Sequence, residues 1–431
     1  MKYLLKIRGA LALMILMALT LSCAKDSYYE INSSSKEGTP YTPKSSGRIS
    51  SAGNRNVMIM VSGGKNSLSG WLLDDINDLI SGEESFIPGD YPSDNVLMVL
   101  SRNGYGNAAN VPSYLYRVSK NKHGVVVLDT LRKWEGADAQ IFGNTVLRDA
   151  LTTVKERIPA KSYGLVISSH GTGYLPDGYY ADGGEAYEQT HSAKSRSLRS
   201  LGQDVDPEGA VEMELKRLRE SIPYHMDYIL LDACFMGGVE TAYELKDKTD
   251  LIGFSQTEIL AEGFDYKTIT TRLLQDEPSP LQVCEDYFNQ YKDKSSSLGA
   301  TISLVRTDGL DNLAQVCKVL FQKYRTEISE VNANKVQRYW RTSISGPERS
   351  YFYDLRDILS KSGVSEEEMA ELDNALAGVV MYEAHTDVFM NNINLTDCCG
   401  LSMFLPNKGL NALKNFYRDN IGWNTATQLV N

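Results

Sequence analysis

Two short stretches of the chain end an apolar run on a side chain that could do chemistry. YGLVISSHGTGY (163–174) carries His170, and YILLDACFMGG (228–238) carries Cys234. A thiol with an ordinary pKa of about 8.5 is only a few per cent thiolate at neutral pH, so as a nucleophile it needs a base beside it. An imidazole takes that proton and later returns it to a leaving amine. Gly171 and Gly173 follow the histidine and leave room for a substrate against the backbone. The N–H groups of Gly171 and Cys234 would then bind a developing oxyanion. Blander readings stand beside this one. A free cysteine is often a buried structural thiol, and a histidine before glycine often serves a turn or a cap.

Both residues lie where short apolar strands stop. Apolar runs at 57–61, 95–100, 124–130, 163–168, 228–233 and 251–255 alternate with amphipathic stretches. Leu68, Leu72, Ile76 and Leu79 recur at helical spacing, and Val146, Leu147, Leu151 and Val154 share a face. Residues 210–221 and 238–247 read as further helices. This alternation predicts an α/β fold, a mostly parallel sheet with helices on both faces. Ligands bind such sheets beyond the carboxyl ends of the strands, so His170 and Cys234 would project from one edge.

After about residue 270 the pattern changes. Residues 308–331, 351–362 and 366–382 read as helical, the last running into a strand, and GLSMFLP (400–406) as a strand stopped by Pro406. The predicted organisation is a catalytic core over 56–270 and a C-terminal α+β region over 271–431. The stretch 183–209 is polar and aperiodic. It is too long for an ordinary connection, and such loops are usually functional or disordered.

The N-terminus reads as a targeting segment. Lys2, Lys6 and Arg8 precede an apolar stretch of signal-peptide length that ends in small residues at Cys23. It resembles a bacterial lipoprotein signal, with Cys23 as the lipidated residue, although Thr20 stands where Leu is usual. An ordinary cleaved signal and a membrane anchor are the alternatives. Residues 24–55 are rich in Ser, Gly, Pro and Asn and read as a flexible tether. An exported envelope lipoprotein follows, facing the periplasm or the cell surface. There are six cysteines, five once Cys23 is set aside, and Cys398 and Cys399 are too close in sequence for ordinary disulfide geometry. An exported chain with an odd count keeps a free thiol. The net charge is −11 and no long basic run occurs, which argues against nucleic acid as a partner but suits a basic peptide.

The ordered set HGTGY, DACFMG and GFSQTEILAEGFDY, with YDLRDIL and GLSMFLP near the end, resembles the clostripain family of cysteine peptidases. The resemblance runs from about residue 56 to the C-terminus. It implies a caspase-like three-layer α/β/α sandwich with a C-terminal α+β extension, with His170 as base, Cys234 as nucleophile and no obligatory third acid. It also implies peptide or protein substrates cut after Arg or Lys, read by acids in the S1 pocket. Asp232 stands two residues before the cysteine, where the family carries an acid, and Glu262 occupies a loop where members often have Asp. A carboxylate is what such a pocket needs, since guanidinium binds it bidentately. A solvated loop charge at 262 and a hydrogen-bonded strand-end acid at 232 are the plainer readings. Ser168 and Ser169 stand where the family often has Trp and Asp or Asn, which bears on the pocket wall. The resemblance further implies self-processing at a basic residue between His170 and Cys234, for which Lys194, Arg196 and Arg199 are candidates.

Three other readings are weighed. A nucleotide-binding enzyme would use the Gly-rich loop at 62–70, which lacks P-loop spacing. A non-enzymatic surface lipoprotein could reuse a peptidase-like scaffold. Calcium dependence occurs in some members of the family this chain resembles. DVDPEG, from Asp204, begins like an EF-hand loop but has Leu215 where the bidentate Glu belongs, so no metal site is placed.

Overall fold

The computed structural model describes residues 55–82, 84–90, 94–104, 111–143, 145–176, 201–206, 209–294, 298–340, 350–408 and 410–431. The leader with Cys23, the tether up to residue 54, and Lys194, Arg196 and Arg199 lie outside these. Among the described residues no helix is long and apolar enough to cross a membrane.

The strands in chain order are β1 (Asn56–Gly63), β2 (Val96–Arg102), β3 (Ser113–Lys120), β4 (Val126–Trp134), β5 (Ser162–Ser168), β6 (Leu201–Asp206), β7 (Gly209–Met213), β8 (Met226–Asp232), β9 (Thr249–Phe254), β10 (Thr301–Arg306), β11 (Tyr353–Asp354) and β12 (Val380–His385), followed by the two-residue strands Val388–Phe389, Ile393–Asn394 and Ser402–Met403. Nine of them form one sheet in the order β12-β10-β9-β8-β5-β1-β2-β3-β4. Its centre, β2-β1-β5-β8-β9, is parallel. The strands added on each flank, β3 and β4 on one side and β10 and β12 on the other, are antiparallel. β10 and β12 lie C-terminal to residue 270 and pair into the same sheet.

The parallel centre is covered on both faces, and its strands are accordingly rich in apolar residues. β1, β2 and β5 are buried along their whole length. Alternate residues feed two cores, one on each face: Val57, Ile59 and Val61 on one, Met58 and Met60 on the other. Helices such as Ser69–Ser81 and Val146–Arg157 cover the faces, the first burying Leu72, Ile76 and Leu79 as their spacing predicts.

Two local expectations are corrected. Residues 210–221 do not form one helix: β7 takes Gly209–Met213, and the helix is confined to Leu215–Ser221. The expected irregular stretch 183–209 contains β6, which pairs with β7 in a separate antiparallel hairpin. Ala, Glu and Met favour a helix here, but the hydrogen bonds offered by β6 override that weak preference.

The hairpin is fastened by a buried ion pair. Asp204 is fully buried and faces Arg102, which is 1% exposed. Asp204 also accepts hydrogen bonds from the backbone N–H groups of Lys65 (3.1 Å) and Phe142 (3.0 Å). Removing Asp204 takes away a carboxylate from a buried guanidinium and an acceptor from two backbone N–H groups. Asp204→Ala is therefore expected to lower stability by about 3–5 kcal/mol, read by chemical denaturation. A loss below about 1 kcal/mol would show that the pair is not a structural fastener.

Candidate active site

β5 and β8 are parallel neighbours, and Ser168 pairs with Asp232 in their register. His170 and Cys234 each lie two residues beyond that pair. The sheet thus delivers both side chains to one edge at the same level. Both line a cavity of about 290 Å³, together with Ser67, Trp71, Asp75, Ser168, Asp232 and Leu260 among others.

The two turns fit closely together. A Cβ at Gly171 would lie 2.5 Å from the carbonyl oxygen of Cys234 and 3.0 Å from its nitrogen, distances real side chains do not tolerate. Glycine is needed at 171 because the histidine turn rests on the cysteine turn. Phe235, directly after Cys234, has φ of 60°, a left-handed conformation uncommon for a bulky residue. Its N–H is held by Thr257 O at 2.9 Å, and its ring stacks on Phe352 with centroids 4.7 Å apart. Backbone strain of this kind persists only where the surroundings over-determine it, and it lies directly after the Cys234 that lines the cavity.

His170 is 6% exposed. Its Nε2 lies 3.1 Å from Ser67 Oγ, which orients the ring. Cys234 is half-buried, with Sγ 3.6 Å from the carbonyl of Ile259. The Gly-rich loop at 62–70 thus lends Ser67 and Leu68 to this cavity. Its N–H groups at Gly64 and Lys65 are taken by Arg102 O and Asp204, so they do not form a phosphate cradle.

Two buried carboxylates share the cavity. Asp232 is 4% exposed and accepts from Tyr266 Oη (2.7 Å) and Phe264 N (3.2 Å). Asp75 is 8% exposed and accepts from Ser168 Oγ at 3.3 Å. Burial pushes Asp232 up to about 6, with Tyr266, Phe264 and Ser168 opposing. Burial first, then the charge of Asp232, pushes Asp75 up to about 9. Two acids that share a cavity and repel each other's charge resist ionising together. A cation between them removes the conflict.

Asp232 therefore stands where the sequence predicts an acid. Glu262 is exposed and is not among the lining residues, although its neighbours Ala261 and Gly263 are. Gly263, at φ +59°, brings its backbone against the Asp232 carboxylate where a Cβ would not fit. Asp75 was not singled out from the sequence, yet a signal was present. It falls within the apolar stripe Leu72, Ile76, Leu79, at a position the helix must bury.

The described residues on either side of the segment 177–200 lie close to His170. Tyr174 and Leu175, before it, are buried. After it, Gly202 N donates to the carbonyl of His170 itself at 2.8 Å. At the back of the cysteine turn, GLSMFLP forms a two-residue strand, Ser402–Met403, instead of a full one. Ser402 N donates to Gly237 O (2.9 Å), and Phe404 N and Tyr417 Oη both donate to the buried Glu240 at 2.8 Å. Burial pushes Glu240 up to about 7.

A thiol and an imidazole delivered to one cavity by adjacent parallel strands, with a helix layer on each face, is the arrangement of a cysteine peptidase of the caspase-like α/β/α class. A sequence profile of the clostripain family matches residues 60–427, and the chain belongs to that family. Two solved structures share the fold. One is an inactive zymogen C11 protease from Parabacteroides distasonis, 24% identical, with a TM-score of 0.69, covering 88% of this chain and 99% of that one. The other is a secreted C11 cysteine protease from Bacteroides thetaiotaomicron in complex with an irreversible peptide inhibitor, 23% identical, with a TM-score of 0.68, covering 87% and 98%. No curated protein matches the chain.

Proposed function

We propose that the protein is an exported cysteine endopeptidase that cleaves after Arg or Lys. The observation that carries this reading is the single cavity holding His170, Cys234 and the buried acids Asp75 and Asp232. His170 takes the Cys234 proton and the thiolate attacks the scissile carbonyl. The N–H groups of Gly171 and Cys234 face the oxygen as it gains charge. The imidazolium then protonates the leaving amine, and water, activated by the same imidazole, releases the acyl group. The P1 cation enters between Asp75 and Asp232, while Glu262 stands outside on the loop. The peptide inhibitor bound to the Bacteroides thetaiotaomicron structure supports peptides as substrates. Its description as secreted supports export; the lipid anchor at Cys23 rests on the apolar leader that precedes it in the sequence.

Self-processing belongs to the same proposal. The zymogen form of the Parabacteroides distasonis structure supports it. So does the placement of Leu175 and Gly202, buried and hydrogen-bonded next to His170, from which the chain departs and to which it returns. Wild-type protein is expected to cut itself after Lys194, Arg196 or Arg199 into two fragments that remain associated through the shared sheet. Cys234→Ala should remain one chain. N-terminal sequencing of the C-terminal fragment locates the cut. Intact wild-type protein with full activity would refute self-processing.

The reading as a whole is tested with peptides that differ only at P1, offered to the full chain. Cleavage restricted to Arg and Lys supports it. Equal cleavage after Asp or large apolar residues would contradict the pocket assignment.

A further inference from the structure

On the far side of the sheet from β4, the edge strand β12 carries a second set of chemistry-bearing side chains. Glu383 and His385 are two residues apart on this strand and share one face. Tyr382 and Ala384 point to the other face, where they pack on the second core. Cys398, from the segment that leads to Ser402–Met403, packs on the first core and crosses over the same face as the Glu and His. One donor atom from each of Glu383, His385 and Cys398 lies within 4.8 Å of the others. We propose that these three residues bind a zinc-class divalent transition ion.

The donor set selects the metal. A thiol, an imidazole and a carboxylate suit tetrahedral zinc, with solvent as the fourth ligand. Calcium, which takes oxygen donors, is disfavoured. The side chains of Glu383 and His385 are 21% and 25% exposed, so a solvent ligand can reach the ion. Glu383 Oε1 and His385 Nδ1 are already 2.7 Å apart. A cation needs only small rotations to replace the proton shared between them. The Cys398 thiol loses its proton to solvent as the metal–sulfur bond forms.

The segment bearing Cys398 is held in place by buried partners. Gln337 Oε1 accepts from Thr396 N (3.0 Å) and Asp397 N (3.4 Å). Asp354 Oδ2 accepts from Cys399 N (2.7 Å), and Gln256 Nε2 donates to Gly400 O (2.8 Å). A Cβ at Gly400 would lie 3.2 Å from Glu383 Cγ, so glycine permits the close crossing. The ion would clip an edge strand to the segment that continues to Ser402, which supports the cysteine turn through Gly237. This is a structural site, separate from the cavity of the dyad.

The test uses the full chain carrying Cys234→Ala, which removes the reactive thiol and any self-cutting. Cobalt(II) is the probe because a cobalt–thiolate bond gives a near-ultraviolet charge-transfer band. One equivalent should produce the band, and zinc should abolish it by displacement. Cys398→Ser should remove the band, and Cys399→Ser should keep it, since that thiol faces Leu401 O. Glu383→Gln and His385→Gln keep every thiol. Each should weaken cobalt binding by at least about 10-fold, the effect that losing even a supporting residue has at such sites. Unchanged thermal melting of the metal-free variants shows that they fold. No band at one equivalent, a band that survives Cys398→Ser, or cobalt affinity unaltered in His385→Gln would each overturn the proposal.

Discussion

A peptide with Arg or Lys at P1 is expected to be cleaved with a kcat/KM at least about 10²-fold above that of the same peptide with Gln. Both Asp232→Asn and Asp75→Asn are expected to reduce that margin sharply. Breaking a buried, hydrogen-bonded charge pair costs roughly 2–5 kcal/mol, and each 1.4 kcal/mol is about tenfold. The neutral peptide has no charge to pair, so its cleavage should change little in either variant. The effect also has a pH signature. Burial holds Asp232 up to about 6 and Asp75 up to about 9, so the pocket gains negative charge as pH rises. The Arg/Gln ratio should therefore climb from about pH 5 toward pH 9, with contributions from His170 and Cys234 cancelling between the two peptides. In either Asp75→Asn or Asp232→Asn, which leave a single carboxyl, the climb should be smaller than in wild type. Stability moves the other way. Both pKa values are raised in the folded state, so the fold binds more protons than the unfolded chain between the ordinary carboxylate range and about 9. The pair's contribution to stability then falls as pH rises through that window. A bound P1 Arg should reverse the fall, visible as a larger rise in thermal midpoint at pH 8 than at pH 5. A pH-independent Arg/Gln ratio would remove the two acids from the pocket's function.

The second large effect concerns the dyad. Cys234→Ala should abolish peptidase activity, and His170→Ala should lower kcat/KM by about 10²–10⁴-fold, the range a general base contributes. Cys234→Ala removes little packing, because Cys234 is half-buried in a turn held by Phe235, Gly237 and Phe352, whereas His170 is buried, so its variant is checked for folding first. Thermal midpoints within a few degrees of wild type would show that the loss is chemical. Near-normal turnover in either variant would sink the mechanism.

Much of this arrangement is legible in the sequence because parallel strands announce themselves. β1, β2, β5, β8 and β9 are built around apolar runs, and two of them stop two residues before His170 and Cys234. The antiparallel β3 is harder to see. SYLYRVSK mixes apolar residues with Arg117, which is buried yet paired to Asp90 outside the strand. β7 is hidden by helix-forming residues that only the partner strand β6 overrides. Among the pocket acids, Asp232 is fixed by its place in the strand. Asp75 depends on a helix packed across the sheet end, a tertiary contact that spacing hints at but does not state. Glu262 shows the converse. A carboxylate in the right loop can point to solvent, because one residue's difference in a turn redirects a side chain. The Glu383–His385–Cys398 group joins an i, i+2 strand pair to a residue beyond the next turn, with no recognisable metal-ligand spacing.

The most direct test of the central claim is covalent capture. The full-length protein is incubated with a peptide that carries Arg at P1 and a thiol-reactive ketone in place of the scissile bond, and the adduct is mapped by mass spectrometry. One equivalent on Cys234 is expected, with Cys284, Cys317, Cys398 and Cys399 unmodified, the label slowed by Asp232→Asn and nearly lost in His170→Ala. Labelling spread over several cysteines, or equally fast on Cys234 for a P1 Asp peptide, would contradict the account.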